Sequence, residues 1–124
     1  MGQAVVHFEI MGKDGQRLRS FYSEMFGWNI TKTDGPVEYG VVDREANLNA
    51  DGVGIGGGIG AMAGDYPGHV TFYVEVGDVE AVLTRAESLG GTRLMGPEKV
   101  NERIEVGMFN DPEGHMIGVI RAAS

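Results

Sequence analysis

The sequence predicts an α+β fold of two βαβββ modules in one chain, the first over residues 4–62 and the second over residues 68–122 of 124. Three observations carry this. Residues 4–11 (AVVHFEIM) and 69–76 (HVTFYVEV) alternate apolar and polar side chains with the period of two that marks a strand with one buried face. An aspartate follows each, opening a helix with an apolar stripe that ends at glycine. A shift of 64 residues superposes Phe8 on Phe72, Ile10 on Val74, Asp14 on Asp78, Leu18 on Val82 and Gly27 on Gly91. Two copies at so long a period describe paired modules, not a solenoid.

In the first strand Val6, Phe8 and Ile10 share one face and His7, Glu9 and Met11 the other. Asp14 caps a helix running to Phe26, whose stripe is Leu18, Phe21, Tyr22, Met25 and Phe26, with Gly27 as its C′ residue. Residues 28–33 and 37–43 read as strands around the turn at Asp34, Gly35 and Pro36. Residues 44–52 are a polar loop, 53–60 a glycine-rich fourth strand, and a linker runs through Pro67 and Gly68.

In the second module Val70, Phe72, Val74 and Val76 face the helix, while His69, Thr71, Tyr73 and Glu75 face away. Asp78 caps the second helix, with Val79, Val82, Leu83 and Ala86 as its stripe and Gly90 and Gly91 as its end. Residues 92–95 form a short strand that turns at Gly96 and Pro97. Strands over 103–109 and 115–121 flank a turn from Asp111 to Gly114.

Composition narrows the function. A domain of this size buries roughly two thirds of its unfolded surface and folds without staples. With no cysteine there is no disulfide, thiolate cluster or Cys nucleophile. A net charge of −8 repels phosphate backbones and anionic lipid, which argues against nucleic-acid partners, and no apolar run is long enough for a membrane span. A cytoplasmic protein is expected. Gly52 to Gly57 satisfies G-x-G-x-x-G, but Gly64 and Pro67 leave no room for the helix that a dinucleotide site requires, so these glycines are read as packing residues.

The segments VVHFEI, SFYSEMFGW, IGGGIGAM, TFYVEVGDVEAVLTRAESLGG and FNDPEGHMIGVI together resemble the vicinal oxygen chelate superfamily of glyoxalases, bleomycin- and fosfomycin-resistance proteins and extradiol dioxygenases. The resemblance covers nearly the whole chain. It implies a mixed β-sheet curled around a shared cavity, and a frequent homodimer, for which Phe109, Ile120 and Trp28 are candidate contacts. In the superfamily's metal enzymes the first and fourth strands of each module supply ligands, usually His or Gln, Glu, His and Glu. Here His7 holds the first position and Thr71 its internal counterpart; the fourth strand has no carboxylate, and the last strand offers Gly118. No metal cofactor is therefore expected at that site, with His7 the one matching ligand if a divalent metal binds.

His7, Glu9 and Glu75 are the candidate catalytic groups, because a carboxylate on an inner face must be paired, hydrated or shifted in pKa, and a shifted one can act as a base. The bland reading of Glu9 and Glu75 is hydration in a wide cavity or pairing with arginine. Met62, Met108, Trp28, Tyr39 and Tyr73, with Thr71, are candidate ligand-binding residues, or else core and dimer contacts. His69 stands two residues from the ligand position, roughly 6–7 Å along a strand, and is read as a solvated strand end. The expected function is binding of a small organic molecule in the inter-module cavity without the usual metal. The alternative is a metal-dependent or acid–base enzyme, of lyase, isomerase or dioxygenase type, acting on a small oxygenated substrate.

Overall fold

The structure, a computed structural model, describes residues 2–122. It divides into two compact units: Val6–Val70, and the segment from Thr71 onward joined by the residues before Val6. No helix among the described residues is long and apolar enough to cross a membrane.

The first half runs β1 (Val5–Gly12), α1 (Gly15–Phe26), β2 (Ile30–Lys32), β3 (Glu38–Val42) and β4 (Gly56–Ala61). Its strands lie in the order β2-β3-β4-β1, with β1 parallel to β4 and the other pairs antiparallel. The Asp14 carboxylate accepts from the Arg17 amide at 3.0 Å. At the other end of α1, Gly27 takes the left-handed φ of 72° that stops a helix and donates to the Ser23 carbonyl. On one face of β1 Phe8 lies over Gly57 and against Trp28, with ring centroids 5.1 Å apart; His7 and Glu9 take the other face.

The α1 stripe corrects the expectation. Phe21, Met25 and Phe26 are each more than half exposed. The inward groups are Gly15, Leu18, Arg19 and Tyr22, because Arg19 turns toward the sheet, where it forks onto Glu38 and reaches the Ile59 carbonyl at 3.2 Å. A partly buried ion pair thus takes the place that periodicity assigned to phenylalanine. The fourth strand also starts later than expected. The Asn49 side chain accepts from the amides of Asp51 and Val53, closing a turn over residues that read as strand.

The second half runs β5 (His69–Glu75), α2 (Val79–Ser88), β6 (Thr92–Lys99), β7 (Ile104–Asn110) and β8 (Met116–Ala122), in the sheet order β5-β8-β7-β6 with β5 parallel to β8. Both halves are therefore βαβββ, the fold class that the sequence predicts. Asp78 caps α2 by accepting from the Ala81 amide. Val76, Val79, Leu83 and Val119 form the core, with Val74, Val82 and Phe109 packed on it. A side chain at Gly107 would strike Val79 and Leu83, so the missing Cβ is what seats α2 on the sheet. Phe72 and Val70 were expected under that helix, but α2 packs across β6, β7 and β8 and leaves both exposed.

The turn expected at Gly96 and Pro97 is instead a bulge inside β6, where the register against β7 shifts. Gly96 has φ 102°, and its Cα side abuts Gly107 so closely that no side chain fits. The chain reverses later, at Asn101, whose side chain accepts from the amides of Arg103 and Ile104.

Candidate functional site

Five side chains of the Val6–Val70 unit form one hydrogen-bonded chain. His7 and Glu9 stand two apart on β1, Tyr39 on β3, His69 at the start of β5, and Tyr66 on the connection between β4 and β5. Glu9 is nearly buried. Its Oε2 meets His69 Nε2 at 2.7 Å, and its Oε1 accepts from the Tyr39 hydroxyl at 3.0 Å. The Tyr39 oxygen meets His7 Nε2 at 2.8 Å, and His69 Nδ1 is hydrogen-bonded to the Tyr66 hydroxyl.

Donor counting orients the chain. A phenol has one proton, and Tyr39 gives it to Glu9, so His7 donates Nε2–H to the Tyr39 oxygen. An ionised Glu9 only accepts, so His69 presents Nε2–H to it. Burial holds the His7 imidazole below its ordinary pKa, with the Glu9 charge pulling the other way, and so favours the neutral ring. Burial, then the Glu9 charge, pushes the Tyr66 phenol up.

The site corrects the reading of His69. Its side chain is 13% exposed and bound at both nitrogens, not solvated. Glu9 is held by the Tyr39 hydroxyl and the His69 imidazole. The missed residue is Tyr66. Its spacing of three from His69 was visible, but the return of its loop to β1 was not. That return depends on Gly68, which packs against the Met11 carbonyl where a side chain would clash.

Of the candidates named from sequence, His7, Glu9 and Tyr39 come together. Trp28 lies against the opposite face of β1, among Phe8, Tyr22 and Phe26. Met62 is exposed beyond the end of β4. In the other unit Tyr73 and Met108 are the strand neighbours of Gly118 on either side, and Thr71 donates to the Met116 carbonyl at 2.6 Å. Glu75 is exposed at the end of β5.

The ligand set of the superfamily's metal enzymes does not fit these residues. Gly118 pairs with Tyr73 as Gly58 pairs with Glu9, and residues 73 and 9 are related by the 64-residue repeat, so Gly58 is the first half's equivalent of Gly118. Neither glycine can ligate, and both lack room for a carboxylate: a side chain at Gly58 would overlap the Tyr39 ring and hydroxyl, and one at Gly118 the Tyr73 ring. Among the described residues no group of three or more His, Cys, Asp or Glu side chains converges as a metal site.

Comparison with known proteins agrees with this fold. The sequence profile of the glyoxalase-like domain matches residues 7–120. No curated protein matches the sequence. Among solved structures, methylmalonyl-CoA epimerase from Streptomyces coelicolor, a variant bound to 2-nitronate-propionyl-CoA, is 15% identical with a TM-score of 0.71 over 98% of this chain and 99% of that one. The epimerase from Mycobacterium tuberculosis is 12% identical, with a TM-score of 0.68 over 97% and 88%. A glyoxalase/bleomycin resistance protein/dioxygenase superfamily member from Vibrio splendidus 12B01 is 15% identical, with a TM-score of 0.63 over 97% and 99%. At these identities the likeness is one of fold.

Proposed function

The chain belongs to the glyoxalase-like domain family, and from that premise we propose that it binds a small oxygenated organic molecule through hydrogen bonds, without the metal common among its superfamily's enzymes. The observation that carries this reading is Tyr39. It covers Gly58, the fourth-strand position where the metal enzymes have a ligand, and its hydroxyl joins His7 to Glu9. A phenol, an imidazole and a carboxylate at one place offer directional contacts to hydroxyl and carbonyl groups. The acyl-CoA compounds held by the epimerases of similar fold make carboxylate-bearing and acyl compounds the first ligands to try.

The test joins elemental analysis of untagged protein to a thermal-shift screen of small carboxylic and hydroxy acids, acyl-CoA compounds and phenolics. The expected result is substoichiometric Zn, Ni, Mn and Fe, with a ligand that raises the melting temperature of the wild type and not of Tyr39→Phe. A ligand at 100 times its Kd stabilises by about 2.7 kcal/mol, well within reach of the method. Stoichiometric metal that is lost in His7→Ala would sink the proposal.

A further inference from the structure

The order hydroxyl, imidazole, carboxylate recurs in enzymes whose histidine takes a proton from a nucleophile while an acid orients the ring. Tyr66, His69 and Glu9 stand in that order. The Tyr66 hydroxyl is bonded to His69 Nδ1, and His69 Nε2 to Glu9 Oε2 at 2.7 Å. The carboxylate is itself held by the Tyr39 hydroxyl on its other oxygen. With Nε2–H given to Glu9, a neutral His69 has its lone pair on Nδ1, so the Tyr66 proton points at the ring and the oxygen lone pairs point away from it. Both His69 nitrogens are engaged, so of these three side chains Tyr66 is the one that stands at an end of the chain and can meet another molecule. Its half-buried position on the connection after β4 is compatible with that.

We propose that Tyr66, His69 and Glu9 form a base-activated nucleophile, separate from any metal chemistry, whose substrates are activated acyl compounds such as esters and thioesters. The phenol oxygen of Tyr66 forms a bond to the acyl carbon while its proton passes to His69 Nδ1, and Glu9 stabilises the imidazolium through the Nε2–H. The C–O or C–S bond of the substrate breaks, and the leaving group departs with the proton from Nδ1. Water then cleaves the aryl ester, returning acid product and free phenol. His69 is needed because the environment of Tyr66 favours the protonated phenol, so the nucleophile is made during attack and not held beforehand.

Two probes test this without knowledge of the natural substrate. p-Nitrophenyl acetate transfers an acetyl group to the nucleophile and releases p-nitrophenol. Benzenesulfonyl fluoride forms a stable sulfonate ester there, with loss of fluoride. Peptide mass spectrometry of the folded wild type compares Tyr66 with Tyr22, which has a similar exposure and stacks on Trp28. Tyr66 is expected to label roughly 10²-fold faster, the low end of what a positioned base supplies. In His69→Gln the rate at Tyr66 falls to that at Tyr22, and Tyr66→Phe removes the fast phase of p-nitrophenol release. Equal labelling of Tyr66 and Tyr22 in the wild type overturns the proposal, whatever the stability of the His69 variant. So does a fast Tyr66 whose rate survives in a folded His69→Gln protein.

Discussion

An alanine methyl at Gly58 would occupy the space of the Tyr39 hydroxyl. Gly58→Ala therefore forces Tyr39 out of place, and overpacking of this kind costs roughly 1–3 kcal/mol. Urea unfolding should show that cost in the wild type and a smaller one in a Tyr39→Ala background, since residues in contact are not additive. Tyr39→Phe keeps the ring and deletes the one oxygen that His7 and Glu9 share. Its expected cost is about 1–3 kcal/mol, the range for a buried polar group that loses a partner. An unfolding midpoint unchanged by Tyr39→Phe would mean that the hydroxyl contributes nothing to the fold. At this scale the sequence was informative where strand alternation sufficed: it put His7 and Glu9 on one face of β1. It misled on His69, which reads as a solvated strand end, because the carboxylate that binds it is 60 residues away and the contact depends on how one loop returns. It was silent on Tyr39 over Gly58, because that contact depends on the pairing of β3 with β4.

The two helices look alike in sequence and are unlike in packing. Leu83 of α2 is fully buried against Val76, Val79 and Val119, whereas Phe21 of α1 is 56% exposed. Leu83→Ala should cost about 2–5 kcal/mol, while Phe21→Ser should stay within about 0.5 kcal/mol of the wild type. Thermal or urea melts of the two variants decide whether the α1 stripe contributes to the fold as the α2 stripe does. The helices, their aspartate caps and the strand alternation were legible because each rests on residues a few positions apart. The start of β4 and the bulge at Gly96 were not. The first is set by the Asn49 side chain, and the second by the close approach of Gly96 to Gly107 on the neighbouring strand, which no local pattern reports. Arg19 escaped for a related reason: a helical wheel ranks positions by hydrophobicity and takes no account of a Glu38 waiting on the sheet.

For the molecule as a whole, the acid side of the stability curve should carry two separate declines. His7 has a folded-state pKa below its reference value, chiefly because burial disfavours the charged ring. As pH falls through the ordinary histidine range the unfolded chain takes up a proton that the folded chain resists, so the stability present above about pH 6.5 is progressively lost. Glu38, Glu80 and Asp111 are shifted downward by Arg19, by Arg93 and by the His115 amide respectively, Glu80 to about 2. Their contribution is complete above the ordinary carboxylate range and disappears only as pH falls through their lowered folded values. The His7 decline therefore comes first, and it comes above the sequence pI of about 4.7, where the chain still carries negative charge and resists association. Melts in 0.15 M salt between pH 8 and 5.5 isolate it. The wild type should lose stability on the acid side of that window, with a slope of at most about 1.4 kcal/mol per pH unit from one group. Gln at position 7 can still donate to the Tyr39 oxygen but cannot take a proton in this range, so His7→Gln should flatten the curve by the same amount. Subtracting the two curves cancels the groups that both proteins share. A difference that is flat with pH would mean that the His7 ring takes its proton as readily in the folded chain as in the unfolded one, and that the Glu9 charge two residues away compensates in full for its burial.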